Sequence, residues 1–158
     1  MPSKFYVPFL QATCNVFELM LDLCDLCDQK MEDFDCDSED ELDISIEIVG
    51  DLAGEVVYRF PNQTSLNIVG IMSGMEMDKM DDFVISAISE ISNIISGNVL
   101  TMLASDDLNC DIRPPKLKKA DDSAQYELYN TCWLSSSAGD VCLEIRLNPN
   151  KPIQQAAG

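Results

Sequence analysis

The stretch from Met80 to Leu103 constrains the fold more than any other part of the chain. Its apolar residues recur at spacings of three, four and seven, which is the periodicity of an amphipathic helix. We therefore expect a long helix whose apolar face is part of the core. The centre of this face is formed by Val84, Ile88, Ile91, Ile95 and Met102, flanked by Phe83 and Ile94 on one side and by Ile85 and Leu103 on the other.

The opposite side of this helix carries a row of polar and small residues, here called the polar stripe: Asp82, Ser86, Glu90, Asn93 and Gly97. Their spacing places all five within an arc of about 80°. Asn and Gly each cost a helix interior roughly 0.5 to 1 kcal/mol relative to Ala, so their presence needs a reason. The stripe is either an ordinary solvated face or a surface for another protein, with Gly97 leaving room for a partner's backbone.

The charge balance excludes several classes of partner. The chain has 158 residues, 46% of them hydrophobic, which fits one domain over residues 1–158 with a sizeable core. It carries 28 acidic and 10 basic residues and has no long basic run, so nucleic acid and anionic membrane are poor partners. Because no apolar run of about 18 residues and no export signal is evident, we expect a cytoplasmic protein.

Histidine is absent, which excludes every Ser/His and Cys/His catalytic arrangement and every histidine metal ligand. The seven cysteines include Cys24-x-x-Cys27 with Cys36 nearby, but a structural zinc site needs a second ligand pair, and none has that spacing. Reduced thiols are the favoured interpretation, with metal binding as the alternative. The acids from Asp33 to Glu39 lack the Gly and Glu of a calcium loop. We expect no metal site and no cofactor of the chain's own.

The remaining patterns predict an α+β fold, with helices on one face of a mainly antiparallel sheet. Gln125–Ser135 contains a second Glu-x-x-Asn, but Glu127 and Asn130 of a strand would point to opposite faces. Met72, Met75, Met77 and Met80 either fill gaps at a helix junction or line a soft binding surface. The first half of the chain predicts a helix over Phe9–Leu21 with Leu10, Cys14, Phe17 and Leu21 on one face. It is followed by Leu23–Met31, where a short strand is favoured over an extension of the helix, by an acidic loop at about 32–43, by a hairpin over Asp43–Phe60, and by a short helix capped by Thr64 or Ser65 and ending at Met72. After the long helix we expect a strand over Cys110–Arg113, a loop over Lys116–Ala124, a hairpin of Gln125–Ser135 with Val141–Leu147, and a frayed tail at about 149–158.

The sequence Ser86-x-x-x-Glu90-x-x-Asn93, followed about twenty residues later by Pro114 and Pro115, resembles the active-site signature of the CheC/CheX/FliY phosphatases of bacterial chemotaxis. The similarity extends over most of the chain and includes the glycine-containing turn after Ile48. One signature helix rather than two makes the CheX branch the nearer relative. The spacing from Asn93 to Pro114 is slightly shorter than in the usual pattern, and the acidic segment 24–43 has no counterpart in the family.

The resemblance implies a CheC-like fold and hydrolysis of the aspartyl phosphate on a CheY-like receiver domain in chemotaxis or two-component signalling. Asn93 would hold the attacking water, and Glu90 would pair with the receiver's active-site lysine. Ser86, Gly97 and Asp82 would contact the receiver, which would supply Mg²⁺. The resemblance also implies a homodimer, joined along a sheet edge. The alternative is a non-catalytic adaptor that binds a receiver or another chemotaxis protein.

Overall fold

The computed structural model describes residues 7–21, 27–29, 41–118 and 126–150. Over these ranges the chain forms the predicted α+β fold, in which helices cover one face of an antiparallel sheet. In chain order the elements are α1 (Val7–Leu21), β1 (Cys27–Gln29), β2 (Glu41–Gly50), β3 (Leu52–Pro61), α2 (Asn62–Ser73), α3 (Asp82–Ser105), β4 (Cys110–Ile112), β5 (Lys116–Leu117), β6 (Leu128–Ser136) and β7 (Gly139–Pro149).

The sheet has the strand order β1-β6-β7-β3-β2-β4, and β5 also pairs with β2. All of these pairs are antiparallel. The two predicted hairpins are confirmed as β2–β3 and β6–β7, and the short strand expected within Leu23–Met31 is β1. The hairpins lie side by side because β3 pairs with β7, so their four long strands form the centre of the sheet.

Alternation along the central strands gives the two faces of the sheet different chemistry. Tyr58 of β3 and Leu143 of β7 are cross-strand partners that point towards the helices, and both are fully buried. Arg59 and Glu144, the next residues, point to the opposite face, where Glu144 forms salt bridges with both Arg59 and Arg146. The hydrophobic core therefore lies between the sheet and the helices, and a buried network of charges lies on the sheet's other side.

The long helix matches the sequence prediction closely. Asp81 caps it, because its side chain accepts a hydrogen bond from the backbone N–H of Val84 at 3.0 Å. The helix is long and apolar enough to cross a membrane by length and composition, yet its apolar side packs in the core of this domain. The buried residues of α3 are Val84, Ile88, Ile91, Ser92, Ile95, Ser96, Val99 and Leu103.

Two residues of the predicted apolar face differ from expectation. Met102 is only half-buried, and Phe83, expected at the flank of the core, is 56% exposed. Helical periodicity gives the direction in which a side chain points, but it does not say whether a neighbouring element is present at that height. Phe83 lies in the first turn of α3, outside the hydrophobic cluster.

The buried faces of the two shorter helices also differ from the prediction. In α1, Phe17 is buried as expected, but Leu10 and Cys14 are half-buried, while Thr13 is fully buried. This is possible because the Thr13 hydroxyl donates a hydrogen bond of 2.7 Å to the carbonyl of Phe9. The Leu21 side chain lies outside the described part.

The predicted start of α2 was wrong, because Pro61 precedes the first turn and Thr64 and Ser65 lie inside the helix, both buried. The Thr64 hydroxyl donates to the carbonyl of Asp140 at 3.2 Å, so it ties α2 to the β6–β7 turn rather than capping the helix. Met72, the predicted last residue of this helix, is 40% exposed, so it does not fill a gap in the core. Gly74 ends α2 in the left-handed conformation, with φ of 73°.

Two predicted loops and the predicted frayed tail are shorter than expected. Residues 41–43 of the acidic loop belong to β2, where Asp43 lies opposite Arg59, so an opposite charge stabilises the pair. Lys116 and Leu117 form β5, which pairs with Ser45 and Ile44. Near the predicted tail, Pro149 ends β7, and the backbone N–H of Asn150 donates to the carbonyl of Asp51 at 2.8 Å. The rest of these three segments, residues 32–40, 119–124 and 151–158, lies outside the described ranges.

Candidate functional site

The polar stripe lies on the outer side of α3, as its spacing predicts. Ser86 and Glu90 are exposed, and Asn93 and Gly97 are half-buried. Glu90 and Asn93 are three residues apart, so they lie about 4.5 Å apart along the helix axis and are neighbours on its surface. A carboxylate and a carboxamide therefore point from one helix face in nearly the same direction.

The stripe's central side chains have no interaction within the described part of the chain. No hydrogen bond or ion pair there involves the side chain of Ser86, Glu90 or Asn93. Their polar atoms are thus open to solvent or to a partner.

Polar residues elsewhere on α3 behave differently. The hydroxyls of Ser89 and Ser92 donate to the carbonyls of Ile85 and Ile88, at 2.8 and 3.0 Å. The carboxamide of Asn98 donates to the carbonyl of Ile94 at 3.0 Å. Because these side chains bond to their own helix, only those of the stripe keep their full capacity for a partner.

The helix beneath the stripe is held firmly to the sheet. Ile91 and Ile95 are buried beside Glu90 and Asn93. One turn after Asn93, the hydroxyls of Ser96 and Tyr58 lie 2.9 Å apart in a buried hydrogen bond. Burial raises the pKa of Tyr58, an effect that its bond with Ser96 opposes, so the phenol stays protonated at neutral pH. These contacts fix the rotation of α3, and with it the directions of Glu90 and Asn93.

Gly97 and Asp82 mark the two ends of the stripe. A Cβ added at Gly97 would have no neighbouring atom of the described residues within 4 Å, so packing among those residues does not require glycine there. Asp82 is exposed in the first turn of α3, where an acidic side chain is stabilised by the helix dipole. The presence of Asp82 is thus explained by the helix alone, whereas that of Gly97 is not.

The second Glu-x-x-Asn forms no comparable site. Glu127 precedes β6 and is exposed, and its backbone N–H donates to the side chain of Asn148 at 2.7 Å. The carboxamide of Asn130 donates to the thiol of Cys132 at 3.4 Å. The two side chains therefore have separate environments, as the strand prediction requires.

The four cysteines whose side chains the structure describes are buried or half-buried thiols, as predicted. Cys132 and Cys142 are buried, Cys14 and Cys110 are half-buried, and none of the four is in a disulfide. Cys24 and Cys36 lie outside the described residues. Within those residues there is also no group of three or more His, Cys, Asp or Glu side chains that could hold a metal ion.

Two features near the site were missed by sequence reasoning. The Tyr58–Ser96 hydrogen bond joins residues 38 positions apart, and only the strand-to-helix packing brings them together. The exposure of Phe83 was also missed, although its position one residue after Asp82 in the first turn was a usable signal. The hydrogen bond lies beneath the stripe, and Phe83 lies at the beginning of the stripe.

Comparison with solved structures defines the fold class. CheX from Vibrio vulnificus has a TM-score of 0.77 at 24% identity, with 94% of this chain and 99% of that chain covered. CheX in a CheX–CheY–BeF₃–Mg²⁺ complex from Borrelia burgdorferi has a TM-score of 0.70 at 20% identity, with 91% of this chain and 97% of that chain covered. The domain therefore has the CheC-like fold that the sequence predicts.

Sequence comparison identifies the family. The family model for the chemotaxis phosphatase CheX matches residues 44–134, more than half of the chain. The CheY-P phosphatase CheX of Thermotoga maritima is 35% identical over 71 residues, which cover 44% of this chain and 46% of that protein. The match thus spans about half the length of this curated relative. The chain belongs to the CheX family of chemotaxis phosphatases.

Proposed function

We propose that this protein is a phosphatase that hydrolyses the aspartyl phosphate of a CheY-like receiver domain. The observation that carries the proposal is the placement of Glu90 and Asn93, which are neighbours on the outer face of a firmly packed helix and have no partner within the described part of the chain. The matching CheX family model and the similarity to the CheY-P phosphatase CheX of Thermotoga maritima support the same activity.

Asn93 is the residue proposed to act on water. Hydrolysis of an acyl phosphate needs a water molecule held in line with the phosphorus, and a carboxamide can both accept and donate a hydrogen bond to it. The water oxygen bonds to phosphorus, the bond from phosphorus to the aspartyl oxygen breaks, and the carboxylate leaves with its electron pair. The released inorganic phosphate keeps the water's oxygen, and the excess proton passes to phosphate or solvent. In this reaction Asn93 positions the nucleophile and forms no covalent bond.

Glu90 is proposed to bind the receiver. Glu90 lies about two turns after Asp82, the first residue of the stripe. Its carboxylate is exposed and is available for an ion pair with the receiver's active-site lysine. Such a pair would place Asn93 over the phosphoryl group, because the two side chains project from one helix face. Ser86 and Gly97, with Asp82 at the beginning of the stripe, would extend the contact along the receiver.

Mg²⁺ is proposed to arrive with the receiver rather than with this chain. The ion would neutralise charge on the phosphoryl oxygens. The Borrelia burgdorferi CheX structure contains CheY, BeF₃ and Mg²⁺ together, which supports this assignment. The roles left for this chain are to hold the water through Asn93 and to anchor the receiver through Glu90.

The test is phosphate release from phosphorylated receivers. The panel contains CheY of Thermotoga maritima, CheY of Borrelia burgdorferi and the CheY-like receivers of the protein's own genome, each phosphorylated with acetyl phosphate. Faster loss of phosphate from at least one receiver supports the proposal. Tight binding without faster loss would support the adaptor alternative instead, and neither effect on any receiver would reject both.

A homodimer and a cytoplasmic location are also proposed. β1 covers only Trp133–Ser135 of β6, so residues 128–132 have no strand on that side within the described part of the chain. An open strand edge can pair with a second copy. Light scattering at several concentrations tests the dimer, and a monomer mass throughout would contradict it.

Cell fractionation tests the location, which the four thiols and a receiver partner favour.

A further inference from the structure

Phe83 is a large aromatic side chain that packing among the described residues does not explain. It is 56% exposed and lies outside the hydrophobic cluster between the sheet and the helices. Its backbone is well fixed, because Asp81 caps α3 at this point through the N–H of Val84. An ordered helix end therefore presents an aromatic ring to solvent.

The helical register places Phe83 next to the polar stripe. Phe83 precedes Glu90 by seven residues, which is two helical turns, so the two side chains lie about 20° apart around the axis and about 10 Å apart along it. Ser86 lies between them on the same side and is exposed. A partner that contacts Glu90 and Ser86 would thus meet Phe83 if it extended towards the beginning of α3.

The segment that leads into Phe83 is also apolar and exposed. Four of the eight exposed large hydrophobic side chains of the described residues lie within residues 71–83: Ile71, Met72, Met75 and Phe83. Met77 and Met80 of the same segment pack against the core, so only part of the methionine cluster fills gaps. Exposed methionine is a common component of adaptable binding surfaces.

The charged residues of the same segment are mostly acidic. Glu76, Asp78, Asp81 and Asp82 are all exposed, and Lys79 is the only basic residue between Ile71 and Glu90. An aromatic centre with a charged rim is typical of protein interfaces. A complementary partner would present an apolar patch bordered by lysine or arginine.

We infer that Phe83 is an apolar anchor for the receiver domain. Its aromatic ring contacts the receiver's surface beside the active-site lysine, and this contact adjoins those of the polar stripe. This inference rests on the proposed function, because the receiver that pairs with Glu90 is the partner that reaches Phe83. Phe83 contributes affinity and takes no part in positioning water. Interface aromatics of this kind are frequent hot spots, and their truncation weakens binding strongly.

The test compares Phe83→Ala, Phe83→Leu and a control, Leu19→Ala, which removes an apolar side chain that is 85% exposed on α1. For the receiver on which the wild-type protein acts, kcat and KM are measured by phosphate release, and Kd is measured with the receiver bound to beryllofluoride and Mg²⁺. Phe83→Ala is expected to raise KM and Kd about 10-fold while kcat stays within twofold. Phe83→Leu should restore most of the affinity, and Leu19→Ala should match wild type.

Several results would overturn the anchor. These are unchanged KM and Kd in Phe83→Ala, a loss in kcat alone, or the same loss in Leu19→Ala. A change from dimer to monomer in the Phe83 variants would show that the ring joins two copies instead. The wild-type measurements test the proposed function separately. If the wild-type protein dephosphorylates a receiver and the Phe83 variants have unchanged KM and Kd, only the anchor is rejected. If wild type neither binds nor hydrolyses any receiver, both are rejected.

Discussion

The hydroxyl oxygens of Tyr58 and Ser96 lie 2.9 Å apart, in a buried hydrogen bond that joins the central strand β3 to α3. Ser96 is three residues after Asn93, so this bond holds the helix one turn from the residue proposed to position water. Most of the buried residues of α3 are apolar, and apolar packing constrains rotation less strictly than a directed bond does. This bond therefore connects the stability of the fold with the direction of the polar stripe.

Removing this hydrogen bond is expected to destabilise the domain. Tyr58→Phe leaves the Ser96 hydroxyl without its partner, and Ser96→Ala does the same to the phenol, so each should lower the free energy of unfolding by about 1 to 3 kcal/mol. Urea denaturation measures the effect. The double variant should cost less than the sum of the single variants, and strict additivity would show that the bond contributes nothing.

Tyr58 should also make stability depend on alkaline pH. Burial raises the pKa of its phenol in the folded state, whereas the unfolded chain titrates near pH 10. The unfolded state thus loses this proton first, and the free energy of unfolding should fall above about pH 10, by at most about 1.4 kcal/mol per pH unit.

Other groups titrate in the same range, so the measurement is the difference between wild type and Tyr58→Phe in urea denaturation from pH 8 to 11. Below about pH 9.5 this difference should be constant. Above it the difference should shrink, because only wild type loses the contribution of the buried phenol. A constant difference up to pH 11 would contradict the assignment.

Asn93→Ala is expected to lower receiver dephosphorylation by on the order of 100-fold, as for the loss of one positioning group. The variant should fold and be at least as stable as wild type, because the Asn93 carboxamide makes no hydrogen bond within the described part of the chain and alanine favours a helix over asparagine. Asn15→Ala is the matched control, since Asn15 is an exposed asparagine on α1. Phosphate release and thermal unfolding are measured for both, and wild-type turnover in Asn93→Ala would refute the catalytic role.

The sequence predicted α3 and its stripe well because both depend on local periodicity. Twenty-four residues of helix repeat the same angle many times, so single exceptions such as Met102 and Phe83 did not change the result. The roles of Glu90 and Asn93 came from a resemblance to a known signature. Their lack of partners within the described residues could not be predicted, since it depends on what the rest of the chain places nearby.

Features that depend on register were beyond sequence reasoning. Arg59, Glu144 and Arg146 look like ordinary outward-facing strand residues. Glu144 and Arg146 are neighbours on one face of β7, but only the pairing of β3 with β7 adds Arg59 and completes the buried network. The strand at Lys116–Leu117 is too short to have a period. A small polar residue such as Thr13 can also be buried when its hydroxyl bonds to its own helix. For this reason the buried face of α1 is turned about the helix axis relative to the predicted face.

Glu90→Gln is expected to weaken receiver binding more than it slows the chemical step. Loss of one charge should raise KM about 10-fold, and Glu90→Lys should raise it further because it repels the receiver's lysine. Steady-state kinetics at low and high salt provide the measurement, and the difference between wild type and Glu90→Gln should shrink at high salt. Glu18→Gln on the exposed side of α1 is the control. Equal effects of the two glutamine substitutions would indicate only a change in net charge.

Gly97→Ala distinguishes the effect of glycine on stability from its effect on receiver binding. The added methyl group would meet no atom of the described residues within 4 Å, and alanine favours a helix over glycine, so the free energy of unfolding should rise by about 0.5 to 1 kcal/mol. If the receiver's backbone approaches the helix at this point, the same methyl group should raise KM about 10-fold. Asn15→Ala also improves helix propensity away from the stripe, so it should stabilise the domain and leave KM unchanged. A Gly97→Ala protein that is more stable and equally active would mean that the receiver does not approach Gly97 closely, and the contact would then end nearer to Asn93.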